Sequence, residues 1–145
     1  MRTFRFLTHG DSAQAIVEFA LILPLFLLIV TGVFDLARAV WQENTLAYAA
    51  REGTRYAIVH GSGSAAPVGP CSSCNLAAVT TVVQMAAVGS YNVTVTTDYP
   101  DGINDRNGRV TVDATTPFVP LPSQYLLGSI FQITLRGGST LVIQR

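Results

Sequence analysis

The stretch that decides the fold is GDSAQAIVEFALILPLFLLIVTG, residues 10–32. From Ile16 to Phe34 the chain runs through 19 residues in which Glu18 is the one charged side chain. At about 1.5 Å per residue, a helix of that length nearly crosses a hydrocarbon core about 30 Å thick. The sequence therefore predicts a membrane-spanning helix near the N-terminus, with a carboxylate close to its start.

The composition leaves room for one membrane segment and one small domain. The 145 residues carry no net charge, and 49% are hydrophobic while only 12% are charged. An ordinary soluble domain has about twice that share of charged residues. All nine basic residues are arginines scattered along the chain, without a basic stripe, so nothing indicates a nucleic-acid partner.

A cleaved secretory signal is the competing interpretation of the N-terminus. Arg2 and Arg5 precede the apolar run, and Ala37-Arg38-Ala39 has the small residues of a cleavage site. The run is longer than the about 7 to 15 apolar residues of a signal peptide, and a carboxylate within it is unfavourable. A retained anchor is therefore favoured. Arginines lie on both sides of the span, so they leave its orientation open.

Glu18 is the most informative residue of the run. An unpaired charge on a membrane helix costs about 2.5 kcal/mol or more, so the default interpretation of such a residue is functional. The alternative is that Glu18 lies at the depth of the membrane interface and extends outward to water.

Three separated motifs carry a resemblance to a known family. They are QAIVEFALILP at residues 14–24, GVFD at residues 32–35 and AAREGTRYA at residues 49–57. In this order they resemble the TadE-like pseudopilins of tight-adherence (Flp-type) pili. The resemblance covers about residues 13 to 60 and weakens beyond them to a general pattern of strands.

The resemblance implies a minor pseudopilin-like component that helps to initiate, prime or cap a pilus at the bacterial cytoplasmic membrane. Its implied partners are other pilins or pseudopilins, a prepilin peptidase, an inner-membrane assembly platform and membrane lipid. The peptidase would cut between Ala13 and Gln14, leaving an α-amino group four residues before Glu18. That carboxylate would then pair with the amine of a neighbouring subunit as a docking group.

The position of the cut has an alternative. The family usually has glycine before the cut, whereas this chain has Ala13 there and Gly10 three residues upstream. Cutting after Gly10 would place Glu18 at the eighth mature position and break the spacing. We favour Ala13 because docking depends on the distance to Glu18 and alanine is nearly as small as glycine.

The helix is expected to continue to His60, to bend near Pro24 and to end at Gly61-Ser-Gly-Ser. Within it Ala49, Gly53 and Ala57 form a ridge of small residues that lets another backbone approach closely. The ridge packs either onto the chain's own sheet, which we favour, or against another subunit.

Cys71 and Cys74 lie in a Gly/Ser/Pro loop over residues 61–74. The spacing allows a local disulfide, a redox pair, half of a metal site or two free thiols. A metal site needs about four ligands, and His9 and His60 are poor candidates. A thioredoxin-like pair requires a βαβ pattern that the surrounding sequence lacks. If the domain is outside the cytoplasm, a short-loop disulfide is favoured, and we expect no metal or cofactor.

The remainder predicts a second helix over residues 75–88 and then strands. Alternating patterns mark residues 91–99 and 109–115, and shorter strands are expected at 130–135 and 140–143, around Gly137-Gly138. Residues 101–108 connect the first two strands, and a plain turn is favoured there over a calcium site. The expected fold is α+β: a long N-terminal helix and a packing helix on a small antiparallel sheet.

The expected organisation is a leader over residues 1–13, a transmembrane helix over 14–37, its extension over 38–60 and an extracytoplasmic domain over 61–145. GxSxG, HExxH and P-loop motifs are absent from the sequence, so we expect no enzyme. The competing functional class is a secreted or membrane-anchored binding domain whose N-terminal helix is a plain anchor. An anchor has no use for Glu18, so this residue discriminates between the two.

Overall fold

The computed structural model describes residues 10–72, 74–126 and 132–144 and confirms the α+β fold. A long N-terminal helix and a second helix pack on a three-stranded antiparallel sheet. In chain order the elements are α1 Gly10–Val59, α2 Leu76–Ala86, β1 Thr94–Asp98, β2 Arg109–Phe118, α3 Leu121–Leu126 and β3 Ile133–Val142.

Helix α1 has two halves with different surroundings. Its 50 residues run without interruption through Pro24 and give a length of about 75 Å at about 1.5 Å per residue. Every residue from 13 to 29 is exposed, because no other element of the described chain covers this half of the helix. Apolar side chains lie on all of its faces. From Leu46 onward one face of α1 is buried against the sheet and α2. The same helix thus projects from the domain and forms part of its core.

The sheet has the order β1-β2-β3, with both pairings antiparallel. Strand β2 is central, and its side chains alternate between buried and less buried positions, as the period of two predicts. Its five buried residues lie on one face of the strand and are Val110, Val112, Ala114, Thr116 and Phe118. Helix α2 adds Val79 and Val83 to this core.

The C-terminal strand corrects one prediction. Two short strands around a turn at Gly137-Gly138 were expected, but β3 continues through both glycines as a single ten-residue strand. Helix α1 crosses β3 so closely that a Cβ atom on Gly137 would overlap the backbone of Leu46 and Ala47. Glycine in a strand can mark the close approach of another backbone, and Gly137 has this role here. Turns were predicted because a Gly-Gly dipeptide also suits a hairpin.

The sequence did not indicate α3, a single short helix with Pro122 in its first turn. The other differences are small: α2 and β1 are each a few residues shorter than expected. Residues 130 and 131 of the predicted C-terminal strand lie outside the described residues.

Candidate functional site

Glu18 lies near the start of the exposed half of α1, one helical turn after Gln14. The side-chain Nε2 of Gln14 donates a hydrogen bond of 3.0 Å to Oε1 of Glu18. Ala13, Gln14 and Glu18 are all exposed, and the backbone from Gly10 onward is helical. The predicted new N-terminal residue and the predicted docking carboxylate therefore share one face of the helix.

The carboxylate of Glu18 has no cationic partner among the described residues. The four ion pairs found there lie elsewhere: Arg38–Asp35, Arg55–Glu52, Arg109–Asp101 and Arg136–Asp113. The contact from Gln14 is a neutral amide, which leaves the charge of Glu18 uncompensated. A cation from outside the described chain, such as an amine, fits this position chemically.

The surroundings of Glu18 are apolar. The side chains that follow it are more than half exposed at Phe19, Leu21 and Phe26. Within the described residues, one helix is long and apolar enough to cross a membrane by length and composition, with a mean hydropathy of 2.6 in its most apolar window.

Asp35 marks the junction between the exposed half of α1 and the domain. Its carboxylate is buried, with Oδ1 accepting a hydrogen bond of 3.0 Å from Nη1 of Arg38. Oδ2 accepts one of 2.6 Å from the backbone N–H of Leu121, at the start of α3. The guanidinium of Arg38 lies 5.3 Å from the ring centre of Phe118, at the end of β2. Asp35 and its partner Arg38 thus tie α1 to two elements far along the chain.

In the sequence, Asp35 is recognisable only as the last residue of the GVFD motif, and its role at this junction was not predicted. Its partner Leu121 is 86 residues later, and no local pattern indicates such a pairing. The available signal was the position of an acid where the apolar run ends.

The ridge of small residues faces the inside of the chain. Ala49, Gly53 and Ala57 are all buried. A Cβ atom on Gly53 would lie 3.3 Å from Cγ1 of Val112 and would overlap Val83. The ridge therefore brings the α1 backbone close to α2 and β2, and this surface is occupied by the chain itself.

Cys71 and Cys74 are joined by a disulfide, with their Cα atoms 5.1 Å apart. The loop that carries them is fixed to the core at Val68, whose carbonyl accepts a hydrogen bond of 3.1 Å from the Tyr99 hydroxyl. Burial raises the pKa of the Tyr99 hydroxyl. His60 stacks on Tyr56, and the described residues contain no group of three or more potential metal ligands among His, Cys, Asp and Glu.

Replacing Cys71 and Cys74 together by serine should lower the free energy of unfolding by less than about 2 kcal/mol. The chain-entropy contribution grows with loop length and is about 3 kcal/mol for a 15-residue loop, whereas these residues are separated by three positions. Urea unfolding of the detergent-solubilised protein, followed by the fluorescence of Trp41, measures the difference. A loss above about 3 kcal/mol would contradict an entropic origin.

The loop over residues 101–108 is held by its own ion pair. Asp101 accepts hydrogen bonds from the Arg109 guanidinium at 2.8 and 3.1 Å and from the Arg109 backbone N–H at 2.9 Å. These bonds lower the pKa of the Asp101 carboxyl. The acid that could have bound calcium is therefore engaged in closing the turn.

Comparison with known proteins matches the N-terminal part of the chain to a family. Residues 13–55 match the family model described as TadE-like protein, which confirms the resemblance based on the three motifs. This segment holds the Gln14–Glu18 pair, the Asp35 junction and the first two residues of the small ridge. No curated protein and no solved structure matches the chain.

Proposed function

Because residues 13–55 form a TadE-like segment, we propose that this protein is a minor pseudopilin-like component that helps to initiate, prime or cap a tight-adherence pilus. The observation that carries the proposal is the position of Glu18. It is a carboxylate without a cationic partner in the described part of the chain, on an exposed apolar helix, one turn after the predicted mature N-terminus.

In the proposed mechanism a prepilin peptidase cuts between Ala13 and Gln14 and creates an α-amino group. Transfer of Glu18 into lipid carries a desolvation cost, which an ionic contact with a neighbour's amine offsets. A charge-assisted hydrogen bond is strong in a medium of low dielectric constant. The contact would form only at one axial offset between two helices and would thereby set their register.

The proposal assigns each part of the chain a place. The exposed half of α1 spans the bacterial cytoplasmic membrane, and the α+β domain lies outside the cytoplasm, where the Cys71–Cys74 disulfide is stable. The partners are other pilins or pseudopilins, the peptidase, the assembly platform and lipid. The role is structural, with no catalysis, cofactor or nucleic acid.

The substitution Glu18→Gln tests the proposal. It retains the size of the side chain and removes its charge, so membrane retention should hold or improve. The lost docking contact should reduce assembled pili at least ten-fold, counted by electron microscopy and by sheared-fibre yield. Glu43→Gln is the matched control, because Glu43 is also an exposed acid on α1 but lies beyond the apolar run. It should leave assembly unchanged.

Two further measurements complete this test. Glu18→Asp keeps the charge but shortens the side chain by one methylene, so its defect should be intermediate. The mass of the mature N-terminal peptide shows whether each variant is processed, since an uncut leader would cause the same loss of pili. A processed and inserted Glu18→Gln protein that assembles normally would contradict docking and favour the plain-anchor alternative.

A further inference from the structure

A small pocket lies where α1 meets the end of β2 and α3, and we call it the junction pocket. Its volume is about 190 Å³. The lining includes Arg38 and Gln42 from α1, Tyr91 from the loop before β1, Phe118 from the end of β2 and Gln124 from α3. Because residues four apart on a helix are neighbours on one face, Arg38 and Gln42 form a polar wall of the pocket.

The side-chain amide of Gln42 has no hydrogen-bond partner among the described residues. Its Oε1 is one of two buried side-chain polar atoms there that lack a partner, and the other is Oγ of Ser90, the residue before Tyr91. Buried polar atoms are nearly always hydrogen-bonded in folded proteins, so each exception requires an explanation. Both exceptions lie at or next to the junction pocket, which indicates an occupant that supplies a hydrogen-bond donor.

Arg38 offers donors to the same pocket. Its Nη1 donates to Asp35, and its other N–H groups have no acceptor in the described part of the chain. The side chain is 44% exposed, and its guanidinium lies 5.3 Å from the ring centre of Phe118, which restrains its plane. A guanidinium suits the oxygen atoms of a phosphate. Because Asp35 already balances the charge of Arg38, the site favours a ligand without net charge.

The junction pocket lies at the depth of the lipid headgroups when α1 spans a membrane. If Ile16 to Phe34 fill the hydrocarbon core, Arg38 lies about 6 Å beyond it, within a polar interface about 5 to 8 Å thick. Helical side chains tilt toward the N-terminus, so Gln42 extends back toward the same layer. Tyr91 of the pocket and Trp41, the residue before Gln42, are both more than half exposed. Tyrosine and tryptophan are enriched at membrane interfaces.

We propose that the junction pocket binds the phosphoethanolamine headgroup of a membrane phospholipid. The phosphate accepts hydrogen bonds from Arg38, and the ammonium donates one to Oε1 of Gln42. The terminal torsion of a glutamine side chain is broad, so the amide can turn its oxygen toward a bound group. The inference rests on membrane insertion of α1, as in the proposed function, but it requires neither leader cleavage nor docking by Glu18.

Two other phospholipid headgroups fit the junction pocket less well. Phosphocholine is also a zwitterion, but its trimethylammonium group has no N–H and leaves Oε1 of Gln42 unpaired. Phosphoglycerol can donate through its hydroxyl groups, but it brings a net negative charge close to the Asp35 carboxylate. The structure thus favours a headgroup that combines a phosphate, a donor and no net charge.

Binding of single lipid molecules to the full chain tests the inference. The protein is purified in detergent and titrated with phosphatidylethanolamine or phosphatidylcholine with the same acyl chains, and bound molecules are counted by native mass spectrometry. The first phosphatidylethanolamine should bind about ten-fold more tightly, the factor expected for one hydrogen bond from a charged donor. Soluble phosphoethanolamine at the same concentration should not compete, because it lacks the acyl chains that concentrate a lipid in the micelle.

The variant Gln42→Leu removes the acceptor at nearly constant size. It should lower the affinity for phosphatidylethanolamine to that for phosphatidylcholine, whose own affinity should not change. Because the substitution also removes an unpaired buried polar atom, it should not lower the free energy of unfolding. Gln84→Leu is the matched control, since Gln84 is an exposed glutamine on α2 outside the pocket, and it should retain the preference.

Three results would overturn the inference. Equal binding of both lipids by the unaltered chain would show that water alone satisfies Gln42. A preference that survives Gln42→Leu would show that the amide is not the acceptor. Competition by soluble phosphoethanolamine would assign the pocket to a soluble phosphate ester instead of a lipid. Loss of pili in Glu18→Gln with the lipid preference intact would leave the inference standing, and normal assembly of that variant would contradict docking alone.

Discussion

Gly137→Ala should destabilise the domain by at least about 3 kcal/mol, which is the upper end of the ordinary cost of overpacking. A Cβ atom at this position would overlap the α1 backbone at Leu46 and Ala47. Backbone cannot rotate away as the end of a flexible side chain can. Helix α1 would have to lift off β3, which would open the core around Leu46.

Gly138→Ala is the matched control on the same strand. Its Cβ atom would approach only Oδ1 of Asp113, at 2.5 Å, and the carboxylate can move aside. The exposed ion pair between Asp113 and Arg136 would be disturbed at little cost, because water screens the two charges. Urea unfolding monitored by the fluorescence of Trp41 compares the two variants. Similar small losses would show that the close crossing of α1 and β3 is wrong.

Asp35→Ala should destabilise the attachment of α3 by about 2 to 3 kcal/mol. The substitution leaves the N–H of Leu121 without its acceptor and removes the partner of Arg38. Leaving a buried donor unsatisfied costs about 1 to 3 kcal/mol, and an acceptor that is charged makes the bond stronger. Hydrogen exchange of the Leu121 amide should accelerate by roughly 30-fold or more, since 1.4 kcal/mol is a factor of ten.

Glu52→Ala provides the comparison for Asp35→Ala. Glu52 also pairs with an arginine three residues away on α1, but Arg55 is largely exposed and no backbone group depends on the pair. Its loss should cost less than about 0.5 kcal/mol. Unchanged exchange at Leu121 in Asp35→Ala would show that the carboxylate does not hold α3.

The elements predicted well are those with local determinants. From Ile16 to Phe34 the chain carries no charge except Glu18, and residues 109–115 alternate, so both elements could be identified without knowing their neighbours, although β2 continues three residues further to Phe118. The register of Gln14 and Glu18 was equally accessible, because four residues along a helix always bring two side chains together.

The features that were missed depend on distant partners. The dipeptide Gly137-Gly138 is compatible both with a hairpin turn and with a strand that a helix crosses closely. The residues that decide between these structures, Leu46 and Ala47, lie far earlier in the chain. For the ridge at Ala49, Gly53 and Ala57, packing onto the chain's own sheet was favoured from the sequence, and only the contact with α2 required the folded chain. The attachment of Asp35 to Leu121 likewise required the folded chain. The docking role of Glu18 stays a prediction.

The unbroken course of α1 makes the helix a rigid connection between its exposed apolar half and the domain. Glu18 and Asp35 are joined by 17 helical steps, and each step contributes about 100° of rotation and about 1.5 Å of height. The angle about the helix axis between the sheet and the Glu18 carboxylate is therefore set by the number of residues between them. One inserted residue would turn the outer domain by about 100° and present a different surface to the same neighbour, although every contact within the domain would be preserved.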